Sequence, residues 1–513
     1  MFRDGILKSI WQAEILREEN DHLQSRGFDV VIAGAGISGL SCAINLQSAG
    51  LSCLVVEAEN AGFGTTGGTT AHLNTFFDAS YDKVIRDFGL EGAELLAKAG
   101  KEAIGIIREN ISQLQDDCDF EEKTGFLFAT KETHLERLED IYNASNKVGV
   151  KMDYCDTIPF PVPFIKAVKI KGQAQFHPIR YIQGLRDKCI EKGGHYVRKC
   201  RVTGYKNQKD GLIIHTTLGD ISAKNLIYAT HTPPGVNLLH FRNIPWRSYV
   251  LGVELDETYP FALGYDMEEL YHYYRSQFID GKPYLIVGGE DHKTGATKDA
   301  ERHFVKLEHH VRQHFKVRDI AYKWSSQYYE PVDGLPYIGQ LPMASSGVYV
   351  CTGYNGNGMI FGTLAGRILS DLISYGDSPY RELFSPSRIK PAAGFKKFVS
   401  HNGKAVGSFL KNKLLPEGSD LQTLRENEGK IIRAGKKKYA VFKEPKGLLH
   451  ALPDSCTHTG CALTWNNAEK SWDCSCHGSR FGIQGNILNA PATKSLSLQQ
   501  LPPSSNSNLS QEP

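Results

Sequence analysis

The chain has 513 residues, of which 41% are hydrophobic and 23% are charged. That composition is typical of a globular protein and excludes a disordered chain, and the length favours more than one domain, since domains hold roughly 100–200 residues. Lys and Arg total 59 against 57 Asp and Glu, which leaves a formal charge of +2. We therefore expect no nucleic-acid partner, because such binding depends on an excess of basic residues.

The N-terminal residues 1–27 mix charged and apolar side chains and lack the uncharged core of a secretory signal. We predict a helical extension there. The sequence has no run of about 18 consecutive apolar residues, so we expect no transmembrane segment. Together these features predict a cytoplasmic location.

A strand, a glycine-rich turn and a helix open the first domain. Phe28–Ala33 is predicted as a buried strand, Gly-Ala-Gly-Ile-Ser-Gly follows at 34–39, and a helix then extends to Ala49. A second strand over 52–57 ends at Glu57, 23 positions after the first glycine. Glycines in this context let the backbone approach a pyrophosphate at a helix N-terminus, and the acidic residue accepts ribose hydroxyls. The pattern predicts a dinucleotide site.

The remaining elements follow from periodicity and turn signals. Residues 391–419 form a Pro-punctuated connector, 420–501 a small β-rich domain, and 502–513 a disordered tail. The amphipathic stretch 395–415 is either a membrane-surface helix or, as we favour, a packed connector. In the first domain we predict helices over 90–114, 132–148, 179–192 and 359–373, strands over 195–206, 211–217, 224–229 and 347–353, and an antiparallel sheet over 245–290.

A loop over 62–72 is rich in small residues and hydroxyls, which suits close approach of the backbone to a large flat ligand. With the motifs at 175–178, 226–231, 333–339 and 352–359, this part of the chain resembles the glutathione-reductase-type FAD fold. Within that fold it is similar to the D-amino-acid oxidase, glycine oxidase and sarcosine oxidase family. The resemblance implies a Rossmann-like FAD-binding domain with an antiparallel-sheet substrate domain, together spanning 28–390.

The same resemblance implies which residues contact FAD. Val202, at the end of a strand from His195, would meet the adenine through its backbone, and the turn before Met359 would support the flavin ring. His72 is either a covalent tether or, more commonly for such a residue, a non-covalent or substrate contact. No second fingerprint is present, which argues against NAD(P)H as electron source. The implied contacts are Gly34, Gly36, Ser38, Gly39, Glu57, Ala58, Thr65, Thr66, Thr69, Thr70, Ala71, Val202, Thr230, Gly353, Gly356, Asn357, Gly358 and Met359.

The chain has 11 cysteines, and four of them lie close together near the C-terminus. Two Cys–His pairs occur there: Cys456 and His458 are separated by one residue, and Cys474 and His477 by two. Two thiolates and two imidazoles at this spacing are the ligands of a Rieske [2Fe–2S] centre. Zinc is the alternative, although Cys-x-His is an unusual spacing for it. We predict that the other seven cysteines are small buried side chains.

The strings CTHTGC and CHGSRF resemble Rieske proteins, which implies a small all-β Rieske domain over 420–501. Carried over residue by residue, the ligands would be Cys456, His458, Cys474 and His477, and Cys461 and Cys476 would match the disulfide pair of respiratory-complex members. Two departures are Ser475 in place of Pro and Phe481 in place of Tyr. Loss of the Tyr hydroxyl should lower the cluster potential, because hydrogen bonds to the sulfurs stabilise the reduced state.

Fusion of FAD with a one-electron cluster predicts an FAD-dependent dehydrogenase. Its substrate would be a small amine or amino acid, held by the sheet around 249–255 and 271–275, and its acceptor a one-electron carrier protein or a quinone-like molecule. Arg275 would either clamp a substrate carboxylate or lie on the surface. We identify no catalytic acid or base. The alternatives are a reductase that takes electrons from a ferredoxin-like donor through the cluster to FAD, and a non-enzymatic redox sensor or electron carrier.

Overall fold

The computed structural model describes residues 3–14, 27–390, 394, 397–403, 419–435 and 437–502. Residues 15–26 of the predicted N-terminal helical extension, most of the connector with most of its amphipathic stretch, and the tail after 502 lie outside the described residues. The domain boundaries near 390 and 420 therefore stay predictions.

Five short 3-10 helices lie at Ile10–Glu14, Thr65–Gly68, Glu132–His134, Leu238–Phe241 and Leu421–Thr423. The α-helices of the described residues are α1 (Ile37–Ser48), α2 (Tyr81–Ser112), α3 (Leu135–Lys147), α4 (Pro178–Glu191), α5 (Glu301–His314), α6 (Gly358–Tyr375) and α7 (Arg381–Phe384). The strands are β1 (Phe28–Ala33), β2 (Cys53–Val56), β3 (His72–Leu73), β4 (Glu121–Ala129), β5 (Met152–Cys155), β6 (Lys166–Gln175), β7 (His195–Val197), β8 (Val202–Gln208), β9 (Gly211–Thr216), β10 (Gly219–Tyr228), β11 (Asn243–Leu255), β12 (Leu263–Asp266), β13 (Tyr273–Ile279), β14 (Lys282–Lys293), β15 (Val317–Pro331), β16 (Tyr337–Gln340), β17 (Val348–Thr352), β18 (Glu428–Ala434), β19 (Lys437–Lys443), β20 (Leu449–Pro453), β21 (Leu463–Asn466), β22 (Ser471–Cys474), β23 (Arg480–Gly482) and β24 (Ile487–Asn489).

The first sheet has a parallel core in the order β17-β10-β1-β2-β7, with β16 antiparallel at one edge and the β8–β9 pair joined to β10. Its central strand β1 is a nearly continuous apolar run, as expected for a strand buried on both faces. Helices α1 and α6 pack together on one face, and a second apolar cluster around Val31 and Leu226 covers the other.

The second sheet has the order β15-β11-β14-β13-β12-β4-β6-β3 and is mostly antiparallel. Side chains of β11 alternate between its faces, so Tyr249, Leu251 and Val253 pack on one face with Phe304 and Leu307 of α5. The expected α/β domain with an antiparallel-sheet substrate region is confirmed.

The C-terminal residues form two small sheets, β18-β19-β20 and β21-β22-β23-β24. They bury an apolar core of their own, which includes Phe442, Leu452 and Trp472. Trp465 lies directly opposite Trp472 in the β21–β22 pair. The expected small all-β domain is confirmed.

The N-terminal residues 3–14 lie between the two domains as an extended strap rather than as the predicted helix, apart from one short 3-10 turn. The Trp11 indole donates to the carbonyl of Thr69 at 2.6 Å, and the Ile6 amide donates to the carbonyl of Glu469 at 3.2 Å. Within the strap, Ile10 and Trp11 are fully buried. The strap therefore packs its apolar side chains on the first domain and is hydrogen-bonded to the C-terminal domain through its backbone.

Several elements differ from the sequence predictions, and strands β4, β6 and β15 of the second sheet lie outside the predicted range 245–290. Helix α2 begins at Tyr81 and bends at Gly89, whose φ of 82° interrupts the helical pattern that the periodicity showed only from residue 90. The predicted strand over 195–206 is wrong as one element, because the chain leaves the sheet after Val197 and resumes at Val202 beside β9. Helix α5 was not predicted, since its buried stripe is narrow and the rest of its surface is charged or His.

Among the described residues, no helix combines the length and apolar character needed to span a membrane.

Candidate functional site

A cavity of about 650 Å³ lies between the parallel and antiparallel sheets. It begins at the carboxyl ends of β1, β2 and β10, the edge where ligands bind in doubly wound folds. Its volume is within the usual range for ligand sites. Of the predicted FAD contacts, all lie on the cavity wall except Gly39, Ala71 and Gly353.

The glycine-rich turn at the start of α1 is tightly packed. Gly34 has φ 108°, and a Cβ there would lie 2.6 Å from the carbonyl oxygen of Ala229. A Cβ on Gly36 would lie 2.9 Å from Oγ1 of Thr66, which accepts a hydrogen bond from the Ile37 amide at 3.1 Å. Gly39 faces inward, where a Cβ would overlap the carbonyl of Gly34. The turn therefore brings backbone N–H groups to the cavity, which fits a pyrophosphate.

Glu57 follows β2 and faces the cavity. Its carboxylate accepts hydrogen bonds from the amides of Ala35 and Glu59, each at 2.8 Å, and so tightens the turn it faces. Burial raises the pKa of this carboxyl. A carboxylate has about four acceptor positions, so it retains capacity for ribose hydroxyls.

The strap adds a positive charge that no sequence motif indicated. The Arg3 guanidinium lies on the cavity wall, hydrogen-bonded to Oγ1 of Thr65 and 3.0 Å from Nδ1 of His231. Burial lowers the pKa of Arg3. Both partners are neutral at pH 7, and no ion pair of Arg3 is found among the described residues, so the site suits an anionic ligand such as a pyrophosphate.

The far end of the cavity is lined by tyrosines and two carboxylates. Tyr271, Tyr273 and Asp291 come from the antiparallel sheet or its loops, and Asp78 precedes α2. The amide of Gly356 donates to Oδ2 of Asp78 at 2.7 Å, so this end adjoins the Gly-rich turn before α6. These carboxylates were not predicted, because nothing in the local sequence distinguishes them from surface acids.

His72 lies on the cavity wall, and its Nε2 donates to the carbonyl of Tyr274 at 3.3 Å. Burial lowers its pKa to about 3, so the imidazole is neutral. Either alternative predicted for His72, a covalent tether or a non-covalent or substrate contact, requires a position on the cavity wall.

Both predictions for Arg275 are wrong. Its side chain is completely buried, and its guanidinium donates to the carbonyls of Thr70 and Ala71 at 2.7 and 3.0 Å. It supports the loop behind the cavity and is not on the cavity wall. Tyr249 likewise packs away from the cavity, whereas its neighbours Ser248 and Val250 line it.

The four predicted cluster ligands meet at one end of the C-terminal domain. The thiols of Cys456 and Cys474 share a hydrogen bond, and the rings of His458 and His477 lie 5.0 Å apart. Both ring nitrogens of His477 are buried without a hydrogen-bond partner among the described residues. Burial lowers the pKa of His477 to about 3, so its imidazole is neutral, as metal ligation requires. This donor set fits a [2Fe–2S] cluster.

The loops that carry these ligands are held by tight turns. Gly460 and Gly478 adopt positive φ angles of 78° and 81°, and their amides donate to the carbonyls of Cys456 and Cys474. A disulfide joins Cys461 to Cys476 between the two loops.

The cluster loops rest on the first domain. Nε2 of His458 donates to the carbonyl oxygen of Gly235 at 3.2 Å, which leaves Nδ1 for a metal. Gly235 in turn donates from its amide to the carbonyl of Pro491 at 3.0 Å, and its neighbour Pro234 lies on the cavity wall. The C-terminal domain also lines the cavity directly, through Ile487, Leu488, Ala490, Ala492 and Thr493.

Comparison with protein families identifies both domains of the chain. Residues 29–372 match the family model described as FAD dependent oxidoreductase, and residues 416–502 match the Rieske [2Fe-2S] domain. The cofactors that these families bind, FAD and a [2Fe–2S] cluster, are those that the cavity and the Cys–His loops fit.

Relatives support the same division. The putative Rieske 2Fe-2S iron-sulfur protein YhfW of Bacillus subtilis is 30% identical over 91% of this chain and 92% of its own length. The gamma-glutamylputrescine oxidoreductase of Escherichia coli is 27% identical over 70% of this chain and 86% of its own. The structure of glycine oxidase from Geobacillus kaustophilus has a TM-score of 0.57 at 18% identity, covering 71% of this chain and all of that one, and so shares the fold.

Proposed function

Because the chain belongs to the FAD dependent oxidoreductase family and carries a Rieske [2Fe–2S] domain, we propose that it is a dehydrogenase for an amine or amino acid. FAD would supply the hydride acceptor for oxidation of the neutral amine to an imine, and the cluster would supply one-electron transfer to an external acceptor. Relatives named for glycine and for gamma-glutamylputrescine support this class of substrate.

We propose that the cavity-wall residues of the predicted set hold FAD. Glu57 would accept the ribose hydroxyls, the turn at 34–36 would receive the pyrophosphate together with Arg3, and the turn at 356–358 would meet the flavin ring. The predicted contacts away from the wall then act indirectly: Gly39 by letting α1 pack on the turn, and Ala71 and Gly353 by shaping their loops. Cys456, His458, Cys474 and His477 would hold the cluster.

The observation that carries this proposal is the contact between His458 and Gly235. A proposed cluster ligand bonds to the residue next to Pro234, which lies on the wall of the proposed flavin cavity. The two candidate cofactor sites are thus separated by one short loop. Such proximity is expected if electrons pass between them, and a protein that used the two sites independently would not need it.

The first experiment measures cofactors and substrate class. The purified protein should contain FAD together with iron and acid-labile sulfide, and zinc without sulfide would contradict the cluster. Under anaerobic conditions, a panel of amines and amino acids should include compounds that bleach the flavin. Failure of every compound to bleach it would contradict the dehydrogenase and favour the reverse direction or a sensor.

The direction of electron flow is tested with His477→Ala, with exposed His309→Ala as the matched control. Without the cluster, stopped-flow reduction of FAD by a good substrate should keep a near-normal rate, because the hydride step needs only the first domain. Turnover with a one-electron acceptor should fall to background, whereas the control keeps both activities. Normal turnover in the cluster-free protein would show that electrons leave by another route.

A further inference from the structure

Two carboxylates face the substrate end of the cavity without an ion-pair partner. Neither Asp78 nor Asp291 has an ion pair within the described part of the chain, and the positive groups nearest to them, Lys83 for Asp78 and His272 for Asp291, act from beyond ion-pair distance. A buried carboxylate is costly unless it is paired or protonated. For the buried Asp291, the charge is therefore met either by a proton or by a cation from outside the chain.

Asp291 is buried, with 7% of its surface exposed, whereas Asp78 on the same cavity wall is exposed. The Tyr328 hydroxyl donates to Oδ2 at 2.8 Å, while Oδ1 is buried and receives no well-formed hydrogen bond. Burial and, to a smaller extent, the charge of Asp78 raise the pKa of Asp291 to about 7, although hydrogen bonds from the Ser248 and Tyr328 hydroxyls oppose the shift. Oδ1 is thus an acceptor left open inside the cavity.

Asp78 precedes α2 and contacts the turn before α6. Its Oδ2 accepts from the Gly356 amide at 2.7 Å, and a Cβ built on Gly356 would lie 3.1 Å from that oxygen and 3.6 Å from the Tyr271 hydroxyl. Burial raises the pKa of Asp78 as well. The aromatic rings of Tyr271 and Tyr273 lie 5.8 Å apart beside these acids, and such faces also attract cations.

We propose that Asp78 and Asp291 form a cation site for the substrate, an amine that binds as its ammonium ion, passes one N–H proton to this carboxylate pair before hydride leaves the neighbouring carbon, and bears no carboxylate on that carbon. This inference rests on the proposed dehydrogenase function and narrows its substrate class. A carboxylate on that carbon would lie beside the two acids, and their negative charges would repel it.

The positive groups near the cavity do not provide an α-carboxylate clamp. The Arg275 guanidinium already donates hydrogen bonds to backbone carbonyls of the loop behind the cavity, and Arg137 forms an ion pair with Asp82 at 2.6 Å. Lys83 lies on the first turn of α2, also on the cavity wall, where it lowers the pKa of Asp78. It could meet a negative group farther along the substrate, but its charge is offset locally by Asp78 itself.

The test uses two pairs of probes that differ only in one carboxylate: butylamine with norvaline, and 1,4-diaminobutane with ornithine. Each is titrated into the oxidised holoprotein under anaerobic conditions, with the early shift of the flavin spectrum as the binding signal and bleaching as the chemical signal. We expect each amine to bind at least tenfold more tightly than its amino acid. Equal or tighter binding of the amino acids would overturn the inference.

The variants Asp78→Asn and Asp291→Asn preserve shape and remove charge, and exposed Asp319→Asn is the matched control. Each cavity variant should lose at least tenfold in amine affinity, with FAD content unchanged, while the control binds as the wild type does. Unchanged affinity in both cavity variants would overturn the cation site. If amino acids bleach the flavin and amines do not, the dehydrogenase stands and the cation site fails. If no amine or amino acid bleaches it, the dehydrogenase itself fails.

Discussion

The Tyr329 hydroxyl donates to the carbonyl oxygen of His477 at 3.3 Å and lies equally close to the carbonyl of Ala490. It also accepts a hydrogen bond from Nε2 of Gln327 at 3.1 Å. On the other side, the Tyr329 ring packs edge-on against His231, a cavity-wall residue, with ring centres 4.7 Å apart. One side chain of the antiparallel sheet thus touches both candidate cofactor sites.

Tyr329→Phe should weaken this link without disturbing either site. The ring contact with His231 remains. The lost hydrogen bonds cost about 1 kcal/mol, enough to change the equilibrium between docked and undocked cluster loops on the first domain roughly fivefold. Stopped-flow absorbance should show flavin reduction by substrate at the wild-type rate and cluster reduction slowed two- to fivefold, by the same docking argument. Tyr375→Phe, at an exposed position, is the control. Equal cluster reduction in all three proteins would mean that this contact plays no part in transfer.

Gly36→Val should abolish FAD binding. A Cβ there already lies 2.9 Å from Oγ1 of Thr66, and two further methyl groups would fill the space where the proposed pyrophosphate meets the backbone. The matched control is Gly105→Val in α2, where a Cβ meets nothing within 4 Å. Flavin content per folded protein, checked by circular dichroism, decides the point. A folded variant that keeps stoichiometric FAD would refute the assignment of this turn.

The sequence predicted those parts of the site that are built from consecutive residues. The turn at 34–39 and the Cys–His loops are recognisable because short spacing alone brings their chemical groups together. Arg3, Asp78 and Asp291 come from a strap, a loop and a strand that meet only in the folded chain, so no local pattern distinguishes them from surface charges. For Arg275 the sequence suggested a substrate clamp or a surface position, whereas its side chain is buried. It donates to carbonyls of residues 70–71, which are distant in the sequence and meet it only in the folded chain.

Asp4→Ala should destabilise the contact between the domains. The Asp4 carboxylate accepts from Arg247 at 2.9 Å and from Arg480 at 3.2 Å, and both arginines are fully buried. Removing one partner of a buried ion pair costs about 3–5 kcal/mol when the remaining charge is left unpaired, and the cost here should lie at or below the lower end, because Arg480 still pairs with Asp473 at 2.8 Å. We expect a lower urea midpoint for the release of flavin fluorescence and for loss of the cluster's visible circular dichroism.

The control for this change is Asp319→Ala, an exposed carboxylate on β15. Asp4→Asn, which keeps an acceptor oxygen but no charge, should fall between wild type and Asp4→Ala. A midpoint for Asp4→Ala within error of the wild type would show that the strap does not hold the domains together.

Amine binding should depend on pH through Asp291. Its pKa is raised to about 7, chiefly by burial. Below that pH the carboxyl is neutral and attracts an ammonium ion weakly, and above it the carboxylate is charged. An alkylammonium stays protonated to about pH 10, so butylamine affinity should rise between pH 6 and 8, by up to roughly tenfold per pH unit for one coupled proton.

The groups around Asp291 fix the sign of this effect. Asp78 raises its pKa, His272 lowers it, and Tyr328 donates to it without titrating, because burial raises the tyrosine pKa well above its usual value. In Asp291→Asn, the rise in affinity between pH 6 and 8 should shrink to the part contributed by Asp78, whereas Asp319→Asn should keep the full profile. Calorimetric titrations with butylamine at several pH values give both curves. A wild-type affinity that is flat across this range, or that falls with rising pH, would mean that the ammonium ion does not bind at a titrating carboxylate.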